Sequence, residues 1–133
     1  MLIKRNVGSY IPVTTERDLI KRARDAVKQE YGDLFFAVSA ALFEDDPIGI
    51  NFGSNTDEYE PETETILPRL RSANSVHDVE RIVYEEFNRW FGAGNAGLKS
   101  RYEAVSRRIW ELWHVFQKSA KERLQRSRIP GSE

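Results

Sequence analysis

Ser75–Gly92 reads SVHDVERIVYEEFNRWFG, and this stretch decides the fold class. Val76, Val79, Ile82, Val83, Phe87, Trp90 and Phe91 recur at three- and four-residue spacing. That spacing gathers them on one side of an α-helix, whose period is about 3.6 residues. Ser75 can cap the helix by accepting from a free amide of its first turn. Gly92 supplies the stop, because glycine adopts the backbone that ends a helix without steric cost.

Beyond this helix, Gly92–Gly97 (GAGNAG) reads as a turn. A final helix is expected over about 96–126, where Leu98, Tyr102, Val105, Ile109, Leu112 and Phe116 step by 4, 3, 4, 3 and 4. These steps form a heptad seam. Trp110, Trp113 and Ala120 widen it, and a wide apolar face suits packing onto a globular core. The same seam, 98–116, offers an alternative use in pairing two copies as a homodimer. Residues 127–133 are read as a fraying tail.

On the N-terminal side, a helix is expected over 57–72, with Thr56 or Asp57 as its cap. Pro61 is tolerable only near its start, and Pro68 should end or kink it around Ile66–Leu67. Before it, DLFFAVSAALFED from Asp33 is apolar nearly all round, so periodicity cannot choose between buried strand and buried helix. Its length and its alanines favour a helix over 33–44 with Asp33 as N-cap. A first helix over 15–31 starts on Thr15 as cap, with Asp18 three residues on suiting the positive end of the helix dipole and Leu19, Ile20, Ala23 and Val27 on one face. Gly32 stops it. Residues 1–13 form an N-terminal arm that can hold a short strand around Leu2–Ile3 or Tyr10–Val13.

The expected architecture is therefore all-α: one domain over 1–133, a compact bundle of about five helices with a long C-terminal one. Its core should include Leu34, Phe36, Val38, Leu42, Ile66, Ile82, Phe87, Trp90, Ile109, Leu112 and Phe116.

Composition narrows the function. There is no cysteine, which excludes disulfide scaffolds, thiolate metal sites and cysteine nucleophiles, and fits a reducing compartment. No apolar run matches a signal peptide or the ~20 residues needed to cross a bilayer, so a cytoplasmic location is expected. The net charge of −1 conceals an uneven distribution. Glu44–Glu64 holds eight acids and no base, whereas Lys99–Arg128 holds nine bases against Glu103, Glu111 and Glu122. Such asymmetry can mark interaction surfaces.

No catalytic constellation emerges. The only histidines, His77 and His114, fall in different helices; an enzyme would need one of them, with His114 the better candidate, beside an acid in a cleft. The acidic segment lacks the alternating ligands and central glycine of a calcium loop, so no metal is expected. No phosphate-loop, dinucleotide, serine-hydrolase or zinc-protease motif occurs, and no cofactor is expected. The basic last helix invites phosphate contacts, yet an isoelectric point near 6.2 is far from the balance of a nucleic-acid-binding domain. The acidic segment instead suits a basic protein partner, since complementary charge speeds encounter and rejects wrong partners.

Three motifs carry a resemblance: DDPIGI (Asp45–Ile50), DEYEPETETI (Asp57–Ile66) and IVYEEFNRWFG (Ile82–Gly92). They resemble a family of small bacterial helical proteins of unknown function, with a DP-I/L-G-I/L turn, a DEYxxExxxI helix and a later helix ending in Phe-Gly. Similar sequences occur among immunity proteins that neutralise polymorphic bacterial toxins. The resemblance implies a small helical bundle in which Asp46, Pro47, Gly49 and Ile50 form the turn. Asp57, Glu58, Tyr59 and Glu62 would form the helix start; no catalytic residue is implied. An added N-terminal helix and a long last helix depart from the pattern.

Together these readings lead to a non-enzymatic protein-binding domain, of the kind an immunity or antitoxin-like inhibitor would be. The expected contact residues are Asp45, Asp46, Asp57, Glu58, Glu60 and Glu62.

Overall fold

The structure, a computed structural model, describes residues 15–50, 53 and 55–127. The expected strand at the N-terminus and the tail after Ser127 lie outside the described residues. Every regular element among those described is helical: α1 (Glu16–Tyr31), α2 (Asp33–Asp45), α3 (Glu60–Ile66), α4 (Val76–Phe91), α5 (Ala93–Ala96) and α6 (Glu103–Ser127). Short 3-10 segments at Leu67–Ser72 and Lys99–Tyr102 continue α3 and introduce α6.

Helix boundaries follow local chemistry. The Thr15 hydroxyl accepts from the Asp18 amide at 3.1 Å, and the Asp18 carboxylate accepts from the Thr15 amide at 3.3 Å, a reciprocal capping box. The Ser75 hydroxyl likewise accepts from the Asp78 amide at 3.2 Å. Gly32, at φ 54°, ends α1 and also starts α2, so it rather than Asp33 is the N-terminal boundary residue. Two helices with a single residue between them need that residue in a conformation that only glycine adopts freely.

Helix α3 starts at Glu60, not at 57, after a turn over 56–59 that leaves Tyr59 at the boundary. Pro61 lacks an amide hydrogen and is accommodated only in a first turn, which ties the start to its neighbourhood. At Pro68 the α-helix gives way to 3-10 geometry, as the missing donor requires. The expected turn at 92–97 contains the single turn α5, and α6 begins at 103 instead of 96. The Tyr102 hydroxyl, donating to the Ala96 carbonyl, ties the two short segments together.

The core forms where α2, α3, α4 and the first half of α6 meet, around Phe35, Leu42, Ile66, Ile82, Phe87 and Ile109. Fully burying a side chain of this kind contributes about 1.5–3 kcal/mol. Two expected core residues lie on the surface instead: Phe36 is 53% exposed and Trp90 is 43% exposed. On the all-apolar α2 it is Phe35 that turns inward, and its neighbour is rotated about 100° around the helix. Trp90 lies across α3 and donates from Nε1 to Thr65 Oγ1 at 3.0 Å. Leu112 and Phe116 are half-buried at the edge.

The expected apolar face of α1 is also corrected. Leu19, Ile20 and Ala23 are exposed, and Tyr31 is the helix's one buried residue. Ion pairs fasten the helix instead: Arg24 to Glu64 at 3.2 Å, Lys28 to Glu60 at 3.1 Å, and Arg71 to Glu30.

Candidate functional site

The corner after α2 is built first. Asp46 precedes Pro47 and is driven from the right-handed helical region, taking φ 52° and ψ 58°. Its Oδ1 accepts from the Ile50 amide at 2.8 Å and from the Tyr59 hydroxyl at 2.7 Å. That hydroxyl accepts in turn from the Ile48 amide at 3.3 Å. Burial, reinforced by the Asp46 carboxylate, pushes the Tyr59 hydroxyl far above its ordinary pKa, so it remains a donor. Gly49 takes φ 78°, and Ile48 and Ile50 pack against the core. Arg101 clamps the outside, with Nη1 on Asp45 Oδ2 at 2.7 Å and Nη2 on the Asp45 carbonyl at 2.7 Å.

The six acids expected to contact a partner are thus placed unequally. Asp45 is paired with Arg101, and Asp46 organises the corner. Glu60 reaches Lys28. Asp57 and Glu58 are exposed, with Glu58 Oε1 accepting from Asn55 Nδ2 at 3.0 Å. Glu62 is only 3% exposed, and its Oε1 has no hydrogen-bond partner. Burial, with the nearby negative charge of Glu58, raises its carboxyl to a pKa of about 7, against smaller lowering effects of its own backbone amide and Arg24. Spacing carried that signal: Tyr59, Glu62, Thr63 and Ile66 lie at i, i+3, i+4 and i+7 and share the core face.

A groove of about 370 Å3 lies between α2 and the turn into α3. Phe36, Ala40 and Phe43 supply its apolar wall, and Glu44, Thr56 and Glu60 its polar one. Asp57 and Glu58 follow directly along the chain. Lys28 Nζ stands 5.8 Å from the centre of the Phe36 ring, at one edge. Of the six expected acids only Glu60 lines this groove, and Phe36, expected in the core, is its apolar element because α2 shows no polar face to orient it. Glu44, counted in the acidic run, is a rim residue that was not singled out.

The other expected sites have different surroundings. His114 is exposed, its Nδ1 2.9 Å from the Trp110 carbonyl and its ring centre 4.2 Å from that of Trp110. His77 is exposed and 4.0 Å from Glu80. Among the described residues no three His, Asp or Glu side chains converge as metal ligands, and no helix is long and apolar enough to cross a membrane. Tyr102, Val105 and Ile109, the middle of the heptad seam, are buried in the chain's own core. A second groove, about 500 Å3, lies between the Gly32 corner and the outer half of α6.

Comparison with protein-family models, with curated proteins and with solved structures finds no match to this chain.

Proposed function

We propose that the chain is a non-enzymatic protein-binding domain that captures a basic partner through the acidic groove between α2 and the turn into α3. The observation that supports this reading is Phe36, a large aromatic side chain 53% exposed in a groove that Glu44 also lines, with Asp57 and Glu58 in the exposed turn just after its lining residue Thr56. An exposed aromatic anchor with a polar rim is the usual energetic layout of a protein interface. The acid rim selects a basic patch, and the ring supplies the desolvated contact at its centre. Absence of cysteine fits action in the cytoplasm. The resemblance of Asp45–Ile66 to immunity-type sequences points to an inhibitor of a basic toxin.

The test is capture from the native host, followed by reconstitution with the purified partner, using the wild-type chain and a Glu44→Lys/Asp57→Lys/Glu58→Lys variant. All three positions are exposed, so the fold should persist. The reading expects one basic protein to be retained by the wild type and its affinity to fall by at least about tenfold in the variant. A basic partner bound equally by both would overturn it.

A further inference from the structure

Helix α6 is 25 residues long, about 37 Å at ~1.5 Å per residue, and the bundle covers only its first part. One row along it shows where cover ends. Ile109 and Trp113 are buried, Phe116 and Ala120 are half-buried, and Leu124 is 57% exposed. The apolar row therefore continues past the bundle into solvent. Around this free end stand Lys118, Lys121 and Arg126, all exposed. From 117 to 126 the one acid is Glu122.

This end packs on a different face of α2 from the acidic groove: Leu34, Ala37 and Ala41 face α6, whereas Phe36, Ser39, Ala40 and Phe43 line the groove. Across one groove Asp33, Leu34 and Ala37 face Leu112–Arg123, and across another Ala41, Glu44 and Asp45 face Ala104, Val105 and Arg108. Helices α2 and α6 therefore run antiparallel. The basic end of α6 projects beyond the Gly32 corner, while Glu44 and the turn into α3 lie towards the opposite end of α2.

Each chain thus carries a basic helix end bearing an unburied leucine and, on another face of α2, an acidic groove that runs from Phe36 in the first turn of that helix to Glu44 in its last. We infer that, when no other basic partner is present, the free end of α6 from a second copy docks in the groove, with Leu124 against Phe36 and its bases against Glu44, Asp57 and Glu58. This rests on the reading of the groove as a docking site and names one occupant for it. A side-by-side pairing of two α6 ends would bring like charges together and is disfavoured. The head-to-tail contact is heterologous, so it grows into a chain or closes into a ring. A single helix end buries little area, which places the contact among weak, salt-sensitive ones.

The test measures mass by light scattering and sedimentation over the micromolar range for three full-length proteins. They are the wild type, Glu44→Lys/Asp57→Lys/Glu58→Lys, and Lys118→Glu/Lys121→Glu/Arg126→Glu. The wild type should gain mass with concentration at low salt and lose it at high salt. Each variant alone should remain monomeric, and an equimolar mixture should associate again, because every groove then meets a helix end of opposite charge. A wild type that stays monomeric at low salt overturns the inference, as does a helix-end variant that associates like the wild type or a mixture that fails to associate. These failures are separable from failure of the groove itself. A monomeric chain whose groove variant still loses the host partner sinks only the self-association, whereas a groove variant that keeps the host partner sinks the groove.

Discussion

The Tyr59 hydroxyl donates to Asp46 Oδ1 at 2.7 Å, across 13 residues of chain, and so closes the corner that carries the acidic turn back onto the bundle. The same hydroxyl receives the Ile48 amide, and Tyr59 itself is fully buried. Tyr59→Phe should therefore lower stability by about 1–2 kcal/mol, the usual cost of stranding a buried polar partner. Urea unfolding checks this, with an unchanged slope expected because the exposed surface is the same.

Glu62 should make stability fall as the solution becomes less acid. Its carboxyl has an ordinary pKa of 4.5 and one of about 7 in the fold, so between those values the folded chain holds a proton that the unfolded chain has released. The resulting stabilisation is complete below pH 4.5, declines as pH rises through 7, and is spent above it, with an upper size of about 3 kcal/mol. Glu62→Gln should flatten the profile over this window and be the more stable form at pH 8. Denaturant midpoints across the pH range decide it, and parallel profiles for the two proteins would count against the assignment.

Arg69 should be costly to remove. It donates from Nη1 to Glu86 Oε2 at 2.8 Å and from Nη2 to Glu85 at 2.6 Å. Glu86 is 1% exposed, and its other oxygen already lacks a partner. Arg69→Met leaves that carboxylate with only the longer contact to Arg89 at 3.7 Å, and a loss of about 3 kcal/mol is expected. Adding Glu86→Leu should restore most of it, since the uncompensated charge is then gone. Melting of the two variants tests the pair.

His114→Gln should be nearly silent. The ring is exposed and rests on its own helix, so a change within about 0.5 kcal/mol is expected. Partner capture should be unaffected as well. A loss of capture with the fold intact would place His114 in the interface.

What was legible in the chain depended on how local its cause was. Thr15, Ser75, Gly32 and Gly92 mark helix ends because capping is decided within four residues. The 3.6-residue period of α4 likewise orients itself. Phe36 was placed in the core because α2 is apolar on every side, and only packing decides that Phe35 points inward. The acids of α3 read as part of one surface for a basic partner, yet Glu60 and Glu64 meet bases of α1 some 30 to 40 residues away, and Glu62 turns into the core. Those pairings depend on how helices cross, which no local pattern states. The site was therefore readable as an acidic region and unreadable as a groove.

The most direct measurement of the central claim is amide chemical-shift mapping of the labelled chain during titration with the captured partner. Shifts should concentrate at Phe36, Ala40, Phe43, Glu44 and 55–58 and diminish with added salt. Shifts centred on the groove beside Tyr31 and Phe116, with the α2 groove silent, would contradict the account.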